Sequence, residues 1–176
     1  VTIDLAGEPV TGTRAGSFEE LVATTGDRML RTAVLLTGDR HEAEDLVQSA
    51  YAQAFARWRL VARAENPVAY VRTILTRLFL ADRRRKRVGE VAWTPGVDVA
   101  VPPADPALRL TLVEALATLS AEDRTLLVLR YFEDLSYPDV ARQLGLSHAA
   151  CRTRASRALA RLRLHFPDLA DLADQA

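Results

Sequence analysis

The residues best placed to do chemistry in this 176-residue chain are arginines, and that chemistry is anion recognition rather than bond making. Wound at 3.6 residues per turn, the segment before Arg163 puts Arg152, Thr153, Ser156 and Arg157 on one side, with Arg154 and Arg161 flanking them. Cys151, Ala155, Ala158, Leu159 and Leu162 fall on the opposite side, which is expected to be buried. No acidic residue occurs from Val140 to Phe166. A solvated helix usually mixes signs through i,i+4 pairs, so a face of one sign calls for an anionic partner such as phosphate. Ser147, His148 and Ala149 occupy the N-terminal turn, the part of such a helix that reaches base edges. The competing reading is a basic surface helix in a bundle.

The elements that would position these arginines are well signalled. Ser136 is placed to cap a helix, with Pro138 in its first turn and Asp139 three residues after the cap. Val140, Ala141 and Leu144 give that helix an apolar face, and Gly145 can take the left-handed conformation that ends it. Ser147 then caps the basic helix. Two helices joined by a short glycine-bearing turn, over Leu135 to Arg163, match a helix-turn-helix.

A second basic run, Asp82 to Arg87, ends a different helix that Asn66-Pro67 opens. Val71, Ile74, Leu75, Leu78 and Phe79 would bury one side of it, and Tyr70, Thr73, Arg77 and Arg84 project elsewhere. Asp82 winds inward and is expected to pair with a nearby arginine. Upstream, Ser17 with Glu20 opens a helix that Gly38 closes. Asp39 with Glu42 opens the next, to about Trp58. Its apolar stripe is Ala43, Leu46, Val47, Ala50, Tyr51, Ala54, Phe55 and Trp58, and Glu42, Asp45, Gln48 and Ser49 lie on the other face. Arg57 to Glu65 reads as a connection. Asp105-Pro106 starts a helix to about Thr118, and Ser120 with Asp123 starts another to about Phe132.

The expected organisation is all-α: a mobile segment 1–16, a helical domain 17–87, a linker 88–104 rich in Gly and Pro, a helix-turn-helix domain 105–166, and an acidic tail 167–176. Formal net charge is zero, but the charge is segregated, and patch charge governs binding more than the total does. Lys86 is the sole lysine.

Several functions find no support. Cys151 is the only cysteine, and His41, His148 and His165 show no ligand spacing, so neither a disulfide framework nor a zinc site is expected. There is no glycine-rich phosphate loop, nucleophile elbow or paired-carboxylate signature, so neither an enzyme nor a cofactor is expected. No apolar run approaches the roughly 20 residues that span a bilayer, and no signal-peptide pattern opens the chain, so the expectation is a cytoplasmic protein.

In order and spacing, Glu44-Asp-Leu-Val-Gln48, Asn66-Pro-Val-Ala-Tyr-Val71 leading to Asp82-Arg-Arg-Arg85, and Leu126-Leu-Val-Leu-Arg-Tyr-Phe132 before the helix-turn-helix resemble an extracytoplasmic-function sigma factor of the sigma-70 superfamily. The resemblance covers about Phe18 to Leu164, and the arginine-rich, lysine-poor usage looks actinobacterial. It implies sigma regions 2 and 4 joined by a flexible linker, and promoter-specific initiation with core RNA polymerase. Glu44, Asp45 and Gln48 would meet the clamp helices of the largest polymerase subunit. Arg59, Arg63 and Asn66 would line the pocket for a flipped minus-ten base, Tyr70 would stack on it, Thr73 and Arg77 would lie on the same surface, and Arg83, Arg84 and Arg85 would hold phosphates.

By the same resemblance, His148, Ala149 and Arg152 would face the minus-thirty-five bases, with Arg154, Ser156 and Arg157 toward phosphate and Ser147 on the same DNA-binding surface. Leu126–Phe132 and the neighbouring surface would meet the flap of the second-largest subunit, and an anti-sigma factor is a candidate further partner. The chain departs from the pattern at Arg77, where many members have asparagine, and at Tyr70, where many have tryptophan. Ala150 and Cys151 stand where threonine and valine are frequent. The alternatives are a stand-alone helix-turn-helix regulator, which would need a receiver of alternating strands and helices, and a helical adaptor, against which the two basic regions argue.

Overall fold

The computed structural model describes residues 16–88 and 106–165, with side chains for 16–86 and 112–164. The expected N-terminal segment, linker and acidic tail lie outside the described residues, apart from Gly16 and Val88. Among the described residues every regular element is helical, as the capping signals imply.

Helix α1 spans Phe18–Thr37, and the Ser17 hydroxyl accepts from the Glu20 N–H at 3.1 Å. Gly38 ends it at φ 78°, a backbone that a side chain would strain. Helix α2, Arg40–Ala56, starts on the Asp39 carboxylate, which accepts from the Glu42 N–H at 2.8 Å. The segment expected to be a bare connection contains a short helix, α3, at Trp58–Val61. Val61 is buried there, so a single apolar anchor folds the loop back onto the domain. Helix α4, Pro67–Val88, is capped by Asn66 Oδ1, which accepts from the Ala69 N–H at 2.9 Å.

Helices α1, α2 and α4 pack on one another around Met29, Leu36, Ala43, Ala54, Leu75 and Phe79, all nearly or fully buried. Burial of each large side chain contributes about 1.5–3 kcal/mol relative to exposure. The α4 stripe is inward as expected, with Leu78 only half-buried. The α2 stripe is narrower than expected. Phe55 is 59% exposed, because Phe18 covers this end of α2 from one side only: its ring sits edge-on to Phe55, Tyr51 and Trp58 at 5.0, 6.2 and 5.5 Å.

The second half comprises α5 (Pro106–Ala117), α6 (Ala121–Leu127), α7 (Tyr137–Leu144) and α8 (His148–His165). After α6 the chain widens into a π turn, Val128–Phe132, closed by a Glu133 N–H bond to the Val128 carbonyl at 3.0 Å. Leu126, Leu127, Val128 and Leu129 are buried, so of the segment expected to meet a flap only Arg130, Tyr131 and Phe132 reach the surface. The stretch is core first: its leucines fill the space between α6, α7 and α8.

The halves touch. Helix α1 meets α5, α6 and the π turn, and α4 meets α6. The contact is held by polar groups as well as apolar ones. The Glu133 side chain is fully buried and lies 3.0 Å from Arg28 and 3.1 Å from Arg72, and Arg124 donates to the Leu36 carbonyl at 2.6 Å.

Candidate nucleic-acid interface

Helix α8 divides as its sequence pattern demands. Cys151, Ala155, Ala158 and Leu162 are buried and Leu159 is half-buried against the rest of the second half. Burial raises the Cys151 thiol above its ordinary pKa, in keeping with a small core residue. Arg152, Thr153, Ser156 and Arg157 are exposed on the opposite side, together with Ser147, His148 and Ala149 at the N-terminal turn.

The turn before α8 is built as expected. The Ser136 hydroxyl accepts from the Asp139 N–H at 3.3 Å and donates to its carboxylate at 2.5 Å, and Gly145 takes φ 67°. That short hydroxyl bond, helped by Arg142 at 2.8 Å, holds the Asp139 carboxyl below its ordinary pKa. The Ser147 hydroxyl accepts from the Ala150 N–H at 3.1 Å.

The arginines of α8 divide into two sets. Arg152 and Arg157 make no ion pair among the described residues. Arg154, by contrast, donates to Asp123 at 2.8 and 2.9 Å, and Arg161 approaches the same carboxylate at 3.5 Å. Asp123 is only 12% exposed and lies in the first turn of α6, where the helix dipole favours a negative charge. Arg154, placed toward phosphate by sequence, thus carries a structural bond that ties α8 to α6.

The other basic region is arranged differently. Arg83 reaches Glu42 of α2 at 2.6 Å and the Thr37 carbonyl at 3.3 Å, and its guanidinium lies over the Phe79 ring. Lys86 meets the other Glu42 oxygen at 2.9 Å and Asp82 at 3.2 Å. The hydrogen bond to Glu42 is the main reason its ammonium titrates above the ordinary lysine value. Asp82 pairs with Lys86 and, as expected, with an arginine, Arg85 at 3.7 Å, but its side chain is 40% exposed rather than turned inward: both partners are neighbours on the same helix. Arg84 and Arg85 remain exposed.

Arg59, Arg63, Asn66 and Arg77 are exposed, and Tyr70 and Thr73 are half-buried. Tyr70 packs against the core, and Thr73 donates to the Ala69 carbonyl at 2.8 Å. The cap occupies Asn66 Oδ1 and leaves the amide NH2 available to donate. On α2, Glu44 pairs with Arg40 at 2.8 Å, while Asp45 and Gln48 are exposed.

Sequence reasoning missed Glu42 as the holder of Arg83 and Lys86, and missed Arg28, Arg72, Arg124 and Glu133 altogether. No local signal marks them. Apart from the Ala117 and Leu119 carbonyls that Arg124 also meets, their partners lie 41 to 105 residues away, and helical periodicity carries no information over that distance.

The sigma-70 region 2 family matches residues 21–88, and the family described as sigma-70, region 4 matches residues 109–162. The RNA polymerase sigma-E factor of Streptomyces antibioticus is 34% identical over 148 residues, covering 83% of this chain and 82% of the relative. The chain belongs to the sigma-70 family of RNA polymerase sigma factors, in its extracytoplasmic-function branch. The Mycobacterium tuberculosis sigma factor SigL is 30% identical over 146 residues, covering 79% of this chain and 82% of SigL. A solved structure of the sigma factor RpoE in complex with the anti-sigma factor NepR from Bartonella quintana matches at 29% identity and a TM-score of 0.68, over 83% of this chain and 94% of RpoE. Sigma factors are non-enzymatic transcription initiation factors, which agrees with the lack of catalytic signatures in the sequence. Region 2 is α1 to α4, and the region 4 match begins within α5. The stand-alone regulator is not favoured: its receiver would need strands where region 2 has helices.

Proposed function

We propose that this sigma factor binds core RNA polymerase in the cytoplasm and directs it to promoters in two steps. Region 4 reads the minus-thirty-five element and region 2 opens the minus-ten element. The observation that carries the reading is the outward face of α8, where Ser147, His148, Ala149, Arg152, Ser156 and Arg157 are all exposed. A helix with uncommitted cations flanking a capped N-terminal turn suits a major groove. His148, Ala149 and Arg152 take the base edges. Ser156 and Arg157 take phosphate, and Arg154 adds charge there only by loosening its hold on Asp123.

In region 2, Arg59, Arg63 and Asn66 border the flipped base, Tyr70, Thr73 and Arg77 line the strand, and Arg84 and Arg85 are the readiest phosphate contacts. Arg83 joins them by exchanging Glu42 for phosphate. Asp45 and Gln48, with Glu44 beside them, meet the clamp helices, and Tyr131, 51% exposed, faces the flap. The Bartonella quintana complex supports an anti-sigma factor as a further partner.

Run-off transcription with core polymerase on a promoter library tests this directly. Promoter-specific starts that depend on the added chain are expected. A folded chain that shifts duplex DNA alone but yields no such starts would overturn the proposal.

A further inference from the structure

Neither promoter reading nor polymerase docking uses Glu133, yet it is the most completely buried charge where the two halves meet. It follows the π turn of region 4, and every side-chain partner it has among the described residues belongs to region 2. Arg28 reaches it from α1 at 3.0 Å, Arg72 from α4 at 3.1 Å, and the Thr32 hydroxyl donates to its other oxygen at 2.5 Å. On either side of this centre Gln143 donates to the Thr76 hydroxyl at 2.7 Å and Arg124 donates to the Leu36 carbonyl.

The closure itself creates this burial. With the halves apart, Glu133, Arg28 and Arg72 all return to water, so the carboxylate is tolerated in the closed form only while both cations hold it. Such a contact reverses more readily than an apolar one, because hydration replaces what the ions lose on opening. Arg72 Nε is buried without an acceptor among the described residues, which lowers the cost of release further.

We propose that Glu133 is the catch of a closed state of the protein, and that its release from Arg28 and Arg72 precedes promoter engagement. The second clause rests on the promoter reading above. Closure leaves the base-facing edge of α8 exposed, so it does not work by covering that surface. It works by distance. A compact chain of this length has a radius of gyration of about 16 Å and is about 40 Å across. Elements named for positions 35 and 10 lie roughly 25 base pairs apart, about 85 Å along the duplex. The closed form holds its two readers too near each other to occupy both.

The test compares the wild-type chain with Glu133→Gln, first alone by small-angle scattering and then by titration with core polymerase. The variant is expected to keep its helicity, because the carboxylate bonds only across the halves. Its radius of gyration should rise from about 16 Å to about 20 Å or more, and it should bind core polymerase about tenfold more tightly as the competent fraction grows.

An unchanged radius in a helical variant overturns the catch. So does loss of helicity, which would make Glu133 part of the core of its own half. Expansion without tighter binding, where the wild-type chain initiates, overturns the coupling of the catch to function. Expansion with no polymerase binding by either chain leaves the catch standing and refutes the promoter reading instead.

Discussion

The two basic surfaces of this sigma factor are held in opposite ways. On α8 Arg154 and Arg161 share the nearly buried Asp123, while Arg152 and Arg157 point outward without an ion pair among the described residues. On α4 the order is reversed at the tip, where Arg83 and Lys86 are laced to Glu42 of the neighbouring helix. Under the proposed reading the α8 face is therefore pre-organised: Arg154 ties the helix to α6, and Arg152 and Arg157 need displace only water. To bind phosphate as proposed, Arg83 and Lys86 at the α4 tip must first give up a protein carboxylate. Under the proposed reading that exchange would make a DNA contact there conditional, in keeping with a surface that acts after polymerase has placed the duplex.

The largest expected effect separates the reading arginine from the anchoring one. Arg152→Ala should cost about 1–3 kcal/mol of upstream discrimination, some 5- to 150-fold in initiation, with an unchanged urea midpoint. Asp123→Asn should do the reverse. It loosens Arg154 and Arg161 together and should lower the unfolding free energy by about 2 kcal/mol, less than a fully buried pair would lose because both arginines can swing to solvent. Its affinity for duplex DNA should not fall. A loss of DNA affinity with stability intact would erase the division between the two sets.

Next in size is Ser136→Ala, which removes the cap of α7 and should cost about 1 kcal/mol by urea titration at neutral pH. The same hydroxyl depresses the Asp139 pKa, so that part of its contribution is present above 3.8, the ordinary value, and is lost as pH falls through the lower folded value. The gap between wild type and variant should therefore narrow in acid. A gap that widens would mean that the hydroxyl does not favour the charged carboxylate.

The smallest expected effect is the one with an inverted sign. Glu42→Gln removes an acceptor that is about a third exposed, so stability should fall by less than about 1 kcal/mol. Binding of a single-stranded minus-ten oligonucleotide by the polymerase complex should tighten a few-fold as Arg83 and Lys86 are released. Weaker binding would show that Glu42 orients these cations for DNA rather than withholding them.

Much of this contrast was legible in the sequence, and the reason is local. Caps at Ser17, Asp39, Asn66, Ser120, Ser136 and Ser147 act within three residues, and all six accept the expected backbone N–H. The faces of α4 and α8 follow from helical spacing alone. What stayed hidden was which cations are already taken. Arg154 and Arg157 have the same chemistry three residues apart, and only the position of α6 gives Arg154 a carboxylate. Glu133 carries no local signal, because its partners lie 61 to 105 residues upstream. Phe55 fell in the apolar stripe, yet nothing among the described residues covers its outer side.

The division of labour between α8 and α4 is tested most directly by run-off transcription with core polymerase on two altered promoters, one with the upstream element scrambled and one with the downstream element scrambled. Wild type, Arg152→Ala and Arg84→Ala are compared on each. Arg152→Ala should become indifferent to the upstream change while staying sensitive to the downstream one, and Arg84→Ala should lose open-complex formation while still distinguishing the upstream element. If Arg152→Ala keeps full upstream discrimination, or if both variants lose both responses equally, the assignment of one reader to each helix is contradicted.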